Sequence, residues 1–413
     1  MGQTDRRFRM HSPIAPTPPV TTPTAPPIAA ATQRDLRLDL FRGLALWLIF
    51  LDHIPSNVVS WITIRNYGFS DATEIFIFIS GYTAAFVYGK VMLERGFVIS
   101  SARILRRAWQ IYVAHIFLFA IYMAEISYIA RSFDNPLFAE EMNILDFLKQ
   151  PDVTIIQALL LKFKPVNMDV LPLYIVLMIM FPPILWLLQR SPTIALGVSA
   201  GVYAAAWWFG FNLSAYPEGV WAFNPFAWQL LFVFGAWCAL GGAERLSVVL
   251  NSRITIGIAI AYLVVAFYIT LSWSLPAVMS PRVAQWLEDV IYPIDKTNLD
   301  VLRFAHFLAL AAVTVWFIPR TWPPLTWPAL YPAILCGQHS LEIFCLGVFL
   351  AFAGHFALVE ISSAIWMQIV ISVVGVLTMI AAASLIAWYK RADERRPGSR
   401  QKPANADFAG GEA

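Results

Sequence analysis

Ten stretches of about 20 mostly apolar residues make up most of this 413-residue chain. A stretch of that length forms a helix that can cross a hydrocarbon layer of about 30 Å. Lipid favours helices because every backbone polar group must find an internal partner. Charged residues are only 13% of the chain, against about 25% in soluble domains. We therefore predict an all-α polytopic membrane protein with about ten transmembrane helices. The expected spans are 38–54, 71–92, 107–130, 169–189, 192–210, 223–242, 254–274, 300–318, 333–353 and 364–389.

The positions of Lys and Arg orient these spans, because basic residues collect in cytoplasmic loops. Both termini are predicted to be cytoplasmic, and the long loops at about 131–168 and 275–299 to lie outside. In the first loop, residues 144–165 show near-helical apolar spacing interrupted by lysines, which favours a helix lying in the interface. The basic residues on the cytoplasmic side are Arg34, Arg37, Lys90, Arg95, Arg103, Arg106, Arg107, Arg190, Arg245, Arg253, Arg320, Lys390, Arg391, Arg395 and Arg396.

Both ends of the chain are polar or rich in proline. Residues 1–33 are rich in Pro, Thr and Ala, and residues 391–413 are polar, so we expect two disordered cytoplasmic tails. Residues 34–390 remain as one transmembrane domain. The net charge of +3 is small and gives no indication of a nucleic-acid partner. The three cysteines lie in or beside apolar segments without metal-ligand or disulfide spacing, so we expect no metal site.

The first span contains two ionisable groups, in the sequence FRGLALWLIFLDH (41–53). Arg42 and His53 are eleven residues apart. At about 100° per residue they share one helix face, roughly 16 Å apart along the axis. Arg42 would then lie in the inner part of the span and His53 near its outer end. Ionisable groups inside a membrane span are costly and point to function. The alternative is an arginine that snorkels to the surface and an interfacial histidine.

The second span begins with two carboxylates near the outer side. Asp71 and Glu74 are one turn apart, and Gly81 in mid-span allows close helix packing. A carboxylate beside a histidine can fix its tautomer and stabilise the imidazolium. Asp71, Glu74 and Asp52 are the candidates for that role beside His53. Asp52 qualifies only if the helix ends there, which Pro55 favours. The alternative for Asp71 and Glu74 is ordinary N-terminal helix charge.

Further polar residues lie at the ends of later spans. They are Lys296 and Arg303 at the start of span eight, His339 and Ser340 at the cytoplasmic start of span nine, and Asn224, Trp228 and Gln229 at the outer start of span six. An aromatic ring and amides at an outer helix start suit a sugar, and interfacial anchoring explains them equally well. The sequence contains no GxSxG, HExxH or Walker motif. Metal-free chemistry based on histidine is therefore expected.

Four blocks in chain order resemble the OpgC family, a branch of the membrane acyltransferase-3 superfamily that succinylates osmoregulated periplasmic glucans. The spacing of Arg42 and His53 matches the Arg–x10–His signature of the superfamily's first span, and the likeness runs from Arg34 to about Lys390. The blocks are RLDLFRGLALWLIFLDHIPSN (37–57), YGFSDATEIFIFISGY (67–82), FNPFAWQLLFVFG (223–235) and DKTNLDVLRFAHFLAL (295–310).

The resemblance implies acyl transfer in a bacterial inner membrane, from cytoplasmic succinyl-CoA to hydroxyls of a periplasmic glucan, without a permanently bound cofactor. His53 would be the general base for direct attack on the thioester; an acyl-histidine intermediate is less economical. Arg42, with Asp39 three residues earlier, would bind the donor at the inner side. The succinyl carboxylate needs a cation, for which Lys296 and Arg303 are candidates. His339 and Ser340 are assigned to the donor as well, and Asn224, Trp228 and Gln229 to the acceptor.

Three other functions stay open at this point. An O-acetyltransferase of the same superfamily would need no cation for its acyl group. A transporter or flippase of an acyl or glycan carrier would retain function without a histidine base. A structural scaffold disagrees with the charges in the first two spans. The acyl group, the sugar position and the oligomeric state are not decided by the sequence, which is compatible with a homodimer.

Overall fold

The structure is a computed structural model, and it describes residues 35–133, 137–274 and 281–394. Within these residues it is helical, without β-strands; Ser214 and Val220 form an isolated bridge. The all-α architecture predicted from the sequence is therefore confirmed. The helices are α1 (Leu36–Asp52), α2 (Ala72–Ser132), α3 (Leu137–Glu141), α4 (Leu145–Lys149), α5 (Pro151–Leu159), α6 (Val170–Arg190), α7 (Pro192–Phe209), α8 (Pro225–Trp237), α9 (Ala243–Arg245), α10 (Ser247–Leu250), α11 (Arg253–Ser274), α12 (Pro281–Ile291), α13 (Val301–Phe317), α14 (Tyr331–Gln338), α15 (Ser340–Glu360) and α16 (Ile365–Glu394).

Six helical segments of the described residues are long and apolar enough to cross a membrane. They are Ala72–Ser132, Val170–Arg190, Pro225–Arg245, Arg253–Trp273, Ser340–Glu360 and Ile365–Asp393. The protein is thus a multi-pass membrane protein. The expected number of about ten crossings and the cytoplasmic position of both termini stay predictions.

Helix α2 contains both the second and the third predicted span. Its 61 residues would extend about 90 Å as a straight helix, which is three times the thickness of a hydrocarbon core. The helix is interrupted at Gly96, whose φ of 82° and ψ of 173° are not helical. Glycine adopts a positive φ without the steric penalty of other residues. The basic segment between the two predicted spans is therefore part of α2, which is interrupted there at Gly96.

The loop that precedes α6 folds into the three short helices α3, α4 and α5. The helical pattern at 144–165 is confirmed, as two short helices rather than one; its position in the interface stays a prediction. The predicted tail at 1–33 lies outside the described residues. Helix α16 continues to Glu394, so the first four residues of the predicted C-terminal tail are helical, and the rest lies outside the described residues.

Two close helix crossings fix the helices that carry the candidate site. A Cβ on Gly43 would overlap the Ala333 carbonyl oxygen, so α1 and α14 touch through their backbones next to Arg42. A Cβ on Gly81 would overlap the Phe232 carbonyl oxygen, where α2 crosses α8. Small residues allow such approach between membrane helices. The prediction of close packing at Gly81 is therefore confirmed.

Candidate functional site

His53 lies in the turn that follows α1. Three residues after His53, the chain reaches Ser56 with a positive φ of 58°. The Nδ1 atom of His53 is 2.6 Å from the carbonyl oxygen of Ile49. A carbonyl can only accept a hydrogen bond, so Nδ1 carries the proton and donates it. The Nε2 atom of the neutral ring then keeps its lone pair. The geometry presents Nε2 as the basic atom of this imidazole.

The sequence predicts a carboxylate as the group that orients His53, and the structure has a backbone carbonyl in that role. The three candidate carboxylates have other partners. Asp52 accepts a hydrogen bond of 2.7 Å from the Thr63 hydroxyl, and the Arg65 guanidinium is 3.9 Å away. Asp52 is at the end of α1, where adjacent side chains diverge. The correction follows from local geometry, because the ring folds back onto the last turn of its own helix.

Asp71 and Glu74 stabilise the N-terminal end of α2. Asp71 is the N-cap, and its side chain accepts from the Thr73 amide at 2.8 Å. Glu74 accepts from the Asp71 amide at 2.9 Å, which completes a capping box. Such a box satisfies two backbone donors that would otherwise lack partners at a helix start. Asp71 and Glu74 are therefore charges at the N-terminus of a helix, as the alternative interpretation of the sequence expects.

The same two carboxylates neutralise the cations that the sequence assigns to the succinyl group. Lys296 Nζ is 2.6 Å from Asp71 Oδ2. Arg303 Nη2 is 3.1 Å from Asp71 Oδ2 and 2.6 Å from Glu74 Oε1. Glu74 is fully buried, and Arg303 and Asp71 are each 9% exposed. Two positive and two negative groups thus form a paired cluster between α2 and α13. Both cations therefore already have a carboxylate partner, and their assignment to a donor carboxylate stays a prediction.

Arg42 lines a cavity at the other end of α1. Its Nη2 donates to the Ile79 carbonyl at 3.1 Å and to the Thr83 hydroxyl at 2.5 Å, both on α2. The cavity has a volume of about 120 Å3. Along α2 its lining runs from Phe76 to Tyr88, which is about 18 Å of helix. The other lining residues are Ser80, Ala84, Val87, Arg107, Leu171, Tyr174, Ser340, Leu341 and Phe344.

Of the two predicted donor residues at the start of α15, only Ser340 is among the residues that line this cavity. Ser340 lines it together with Arg42. His339 lies at the break between α14 and α15, and its Nδ1 accepts a hydrogen bond of 3.2 Å from Lys390 Nζ. His339 thus connects the end of α16 to this break. The proposed pairing of Asp39 with Arg42 stays a prediction, and Asp39 itself is buried on α1.

The three residues assigned to the acceptor are buried and hydrogen-bonded inside the protein. Asn224 caps α8 by accepting from the Phe226 amide at 3.0 Å. Trp228 is completely buried, and its indole N–H donates to the Lys296 carbonyl at 3.1 Å. Gln229 accepts from the Ser199 hydroxyl at 2.6 Å. A sugar cannot stack on the Trp228 ring in this conformation, because the ring is completely buried. The role of the three residues in acceptor binding stays a prediction.

Sequence reasoning missed the loop between α5 and α6, which lies against the catalytic histidine candidate. Asn167 donates from Nδ2 to the His53 carbonyl at 3.3 Å. Lys164 and Asp169 in the same loop interact electrostatically, and Lys296 acts on Asp169 as well as on His53. The signal in the sequence is three polar residues directly before an outer span start. Arg107 was also missed as a lining residue, because it was counted only among the cytoplasmic charges.

A family model described as OpgC protein matches residues 34–391. The match covers all the helices described above except the last three residues of α16. Comparison with curated proteins and with solved structures gave no significant match.

Proposed function

Because the chain belongs to the OpgC protein family, we propose that this membrane protein transfers a succinyl group from cytoplasmic succinyl-CoA to hydroxyls of periplasmic glucans. The observation that carries the proposal is the arrangement on α1. Arg42 lines a cavity that follows α2, and His53 presents a basic nitrogen at the other end of the same helix. Two substrates could then approach from opposite sides of the membrane and react near His53.

The donor would occupy the cavity at Arg42. Coenzyme A carries phosphates, and arginine binds phosphate with a planar, always charged fork. Arg107 adds a second guanidinium to the same cavity, and Ser340 adds a hydroxyl. The narrow shape, about 120 Å3 distributed along three turns of α2, suits the extended pantetheine arm. The thioester would then lie between Arg42 and His53.

His53 would act as the general base. Its Nε2 takes the proton of a sugar hydroxyl while the sugar oxygen attacks the thioester carbonyl carbon. The C–S bond then breaks, and the coenzyme A thiolate leaves and takes the proton from the imidazolium. The Nδ1–H bond to Ile49 holds the ring in one orientation throughout and helps to stabilise its protonated form. A positioned base of this kind contributes about 10²–10⁴-fold to the rate.

A second candidate, transfer of an uncharged acetyl group, is favoured by one observation. Lys296 and Arg303 are already paired with Asp71 and Glu74, so the cations expected for a succinyl carboxylate are occupied. An acetyl group would need no such cation.

Mass spectrometry of periplasmic glucans tests the proposal. Glucans from cells that produce the protein are compared with glucans from the same cells without it, and with glucans from cells that produce His53→Ala. The proposal expects glucans that are heavier by whole succinyl groups, with wild-type protein only. Mass increments of acetyl groups would favour the second candidate. Unchanged glucans with wild-type protein in the membrane would contradict both.

A further inference from the structure

Lys296 and Arg303 form salt bridges with carboxylates, and Lys164 has different contacts. Lys164, between α5 and α6, donates from Nζ to the Leu161 carbonyl at 3.4 Å and lies 3.9 Å from the ring centroid of Trp221. Within the described part of the chain, its ammonium forms no ion pair with a carboxylate. Lys164 is only half exposed, and burial lowers its pKa to about 8. An anion that binds beside a partly buried ammonium stabilises its charged form.

Two buried nitrogen atoms lie in the same surroundings. Trp221 is 3% exposed and His115 is 1% exposed. The indole Nε1 of Trp221 and the Nδ1 of His115 make no hydrogen bond to any residue that the structure describes. Lys164 is close enough to His115 to act on it electrostatically. Buried polar atoms without a partner are rare in proteins, and each one calls for an explanation. A carboxylate has two oxygens that accept several hydrogen bonds, so it would satisfy the Trp221 indole N–H, and His115 Nδ1 in the tautomer that carries its proton there.

The loop that carries Lys164 also touches the reaction centre. Asn167, three residues after Lys164, donates to the His53 carbonyl at 3.3 Å. Three residues of extended chain span at most about 11 Å. The Lys164 loop therefore packs against the turn that carries His53. A short dicarboxylic acyl chain with its thioester near His53 would have its free end near this loop.

We propose that Lys164, together with Trp221 Nε1 and His115 Nδ1, forms the subsite for the free carboxylate of a dicarboxylic acyl donor. The inference rests on the proposed acyl transfer and names what selects a succinyl over an acetyl group. Lys164 takes the role that the sequence assigns to Lys296 and Arg303.

Kinetics with two donors test this subsite. The full-length protein is purified in lipid nanodiscs, and glucan acylation is measured with succinyl-CoA and with acetyl-CoA. Lys164→Met removes the charge and keeps the length of the side chain. The matched control is Lys162→Met, an exposed lysine two residues earlier. Lys164→Met is expected to raise the KM for succinyl-CoA roughly 10- to 100-fold, which is the value of a hydrogen bond to a charged group. The KM for acetyl-CoA and both constants of Lys162→Met should stay within about twofold of wild type, since exposed charges contribute little.

Equal effects of Lys164→Met on both donors, or no effect on either, would overturn the subsite. Lys164→Arg is expected to keep the preference for succinyl-CoA, because the charge stays. Thermal stabilisation of the same variants by each acyl-CoA measures binding without turnover. It decides the role of Lys164 even if the protein transfers neither group. Wild-type protein that acylates glucan from neither donor would contradict the proposed function, whereas a lost succinyl preference in binding would contradict only Lys164.

Discussion

The surroundings of the charged groups differ between the two ends of α1. Near His53, Asp71, Glu74, Lys296 and Arg303 neutralise one another across two helices. Towards the start of α1, Arg42 contacts a carbonyl and a hydroxyl on α2 and lines a cavity. A paired cluster between helices fastens them together, whereas a guanidinium that lines a cavity can also bind an anionic substrate. We therefore propose a structural use of charge near His53 and a substrate-binding use at Arg42.

The largest expected effect is on the rate, at His53. His53→Ala should lower glucan acylation by about 10²–10⁴-fold, because it removes the general base. The ring touches its own helix through one hydrogen bond, so insertion and thermal stability should change little. Acylation is measured at matched protein level in membranes. Normal acylation by His53→Ala would remove His53 from the mechanism and leave the outer end with a structural role only.

The next effect is on stability, at the outer ion cluster. Arg303→Leu leaves Glu74, which is fully buried, without the guanidinium that pairs with it. Removing one partner of a buried ion pair costs about 3–5 kcal/mol, so the melting temperature in detergent should fall markedly. Arg65→Leu is the control, because Arg65 is exposed and 3.9 Å from Asp52; it should cost less than about 1 kcal/mol. If both variants melt alike, the cluster does not fasten α2 to α13.

A smaller effect is expected on donor binding, at the inner end. Arg42→Lys keeps the charge and loses the planar fork, so we expect the KM for succinyl-CoA to rise about tenfold. The KM for glucan should change little, because His53 lies roughly 16 Å away along α1. Arg95→Lys, at an exposed position in the break of α2, serves as the control. A change confined to the glucan KM would reverse the assignment of the two ends.

The smallest effect concerns Trp228, which the sequence assigns to the acceptor and which the structure buries completely. Trp228→Phe loses the hydrogen bond to the Lys296 carbonyl and should cost about 1 kcal/mol of stability. The KM for glucan should stay within about twofold of wild type, because the ring is completely buried. A clearly raised glucan KM at unchanged stability would return Trp228 to the acceptor site.

Features that depend on one helix and its nearest residues could be predicted from the sequence. The first span is an example, because α1 runs from Leu36 to Asp52. His53 follows in the turn after α1, so the helix face that Arg42 and His53 would share stays a prediction. The close crossing at Gly81 follows from residue size alone. The capping role of Asp71 and Glu74 is also local, because both partners are on the first turn of α2.

Partners from distant parts of the chain could not be predicted in this way. Arg303 meets Glu74 across 229 positions, and no local pattern encodes which helices pack together. The tautomer of His53 depends on how the ring folds back in the turn after α1, which periodicity does not describe. The contact of Lys164 with Trp221 could not be predicted either, because Trp221 comes from another loop, far away in the sequence.

The central claim is that donor and acceptor reach the enzyme from opposite sides of the membrane. Reconstitution in liposomes tests it most directly, with succinyl-CoA and glucan supplied on the same side or on opposite sides. The orientation of the protein is read from an impermeant thiol reagent and single cysteines at Glu94 and Glu140, two exposed positions, in a background without native cysteines. The account predicts succinylated glucan only when succinyl-CoA is on the side of position 94 and glucan on the side of position 140. Product formed only with both substrates on one side would contradict it.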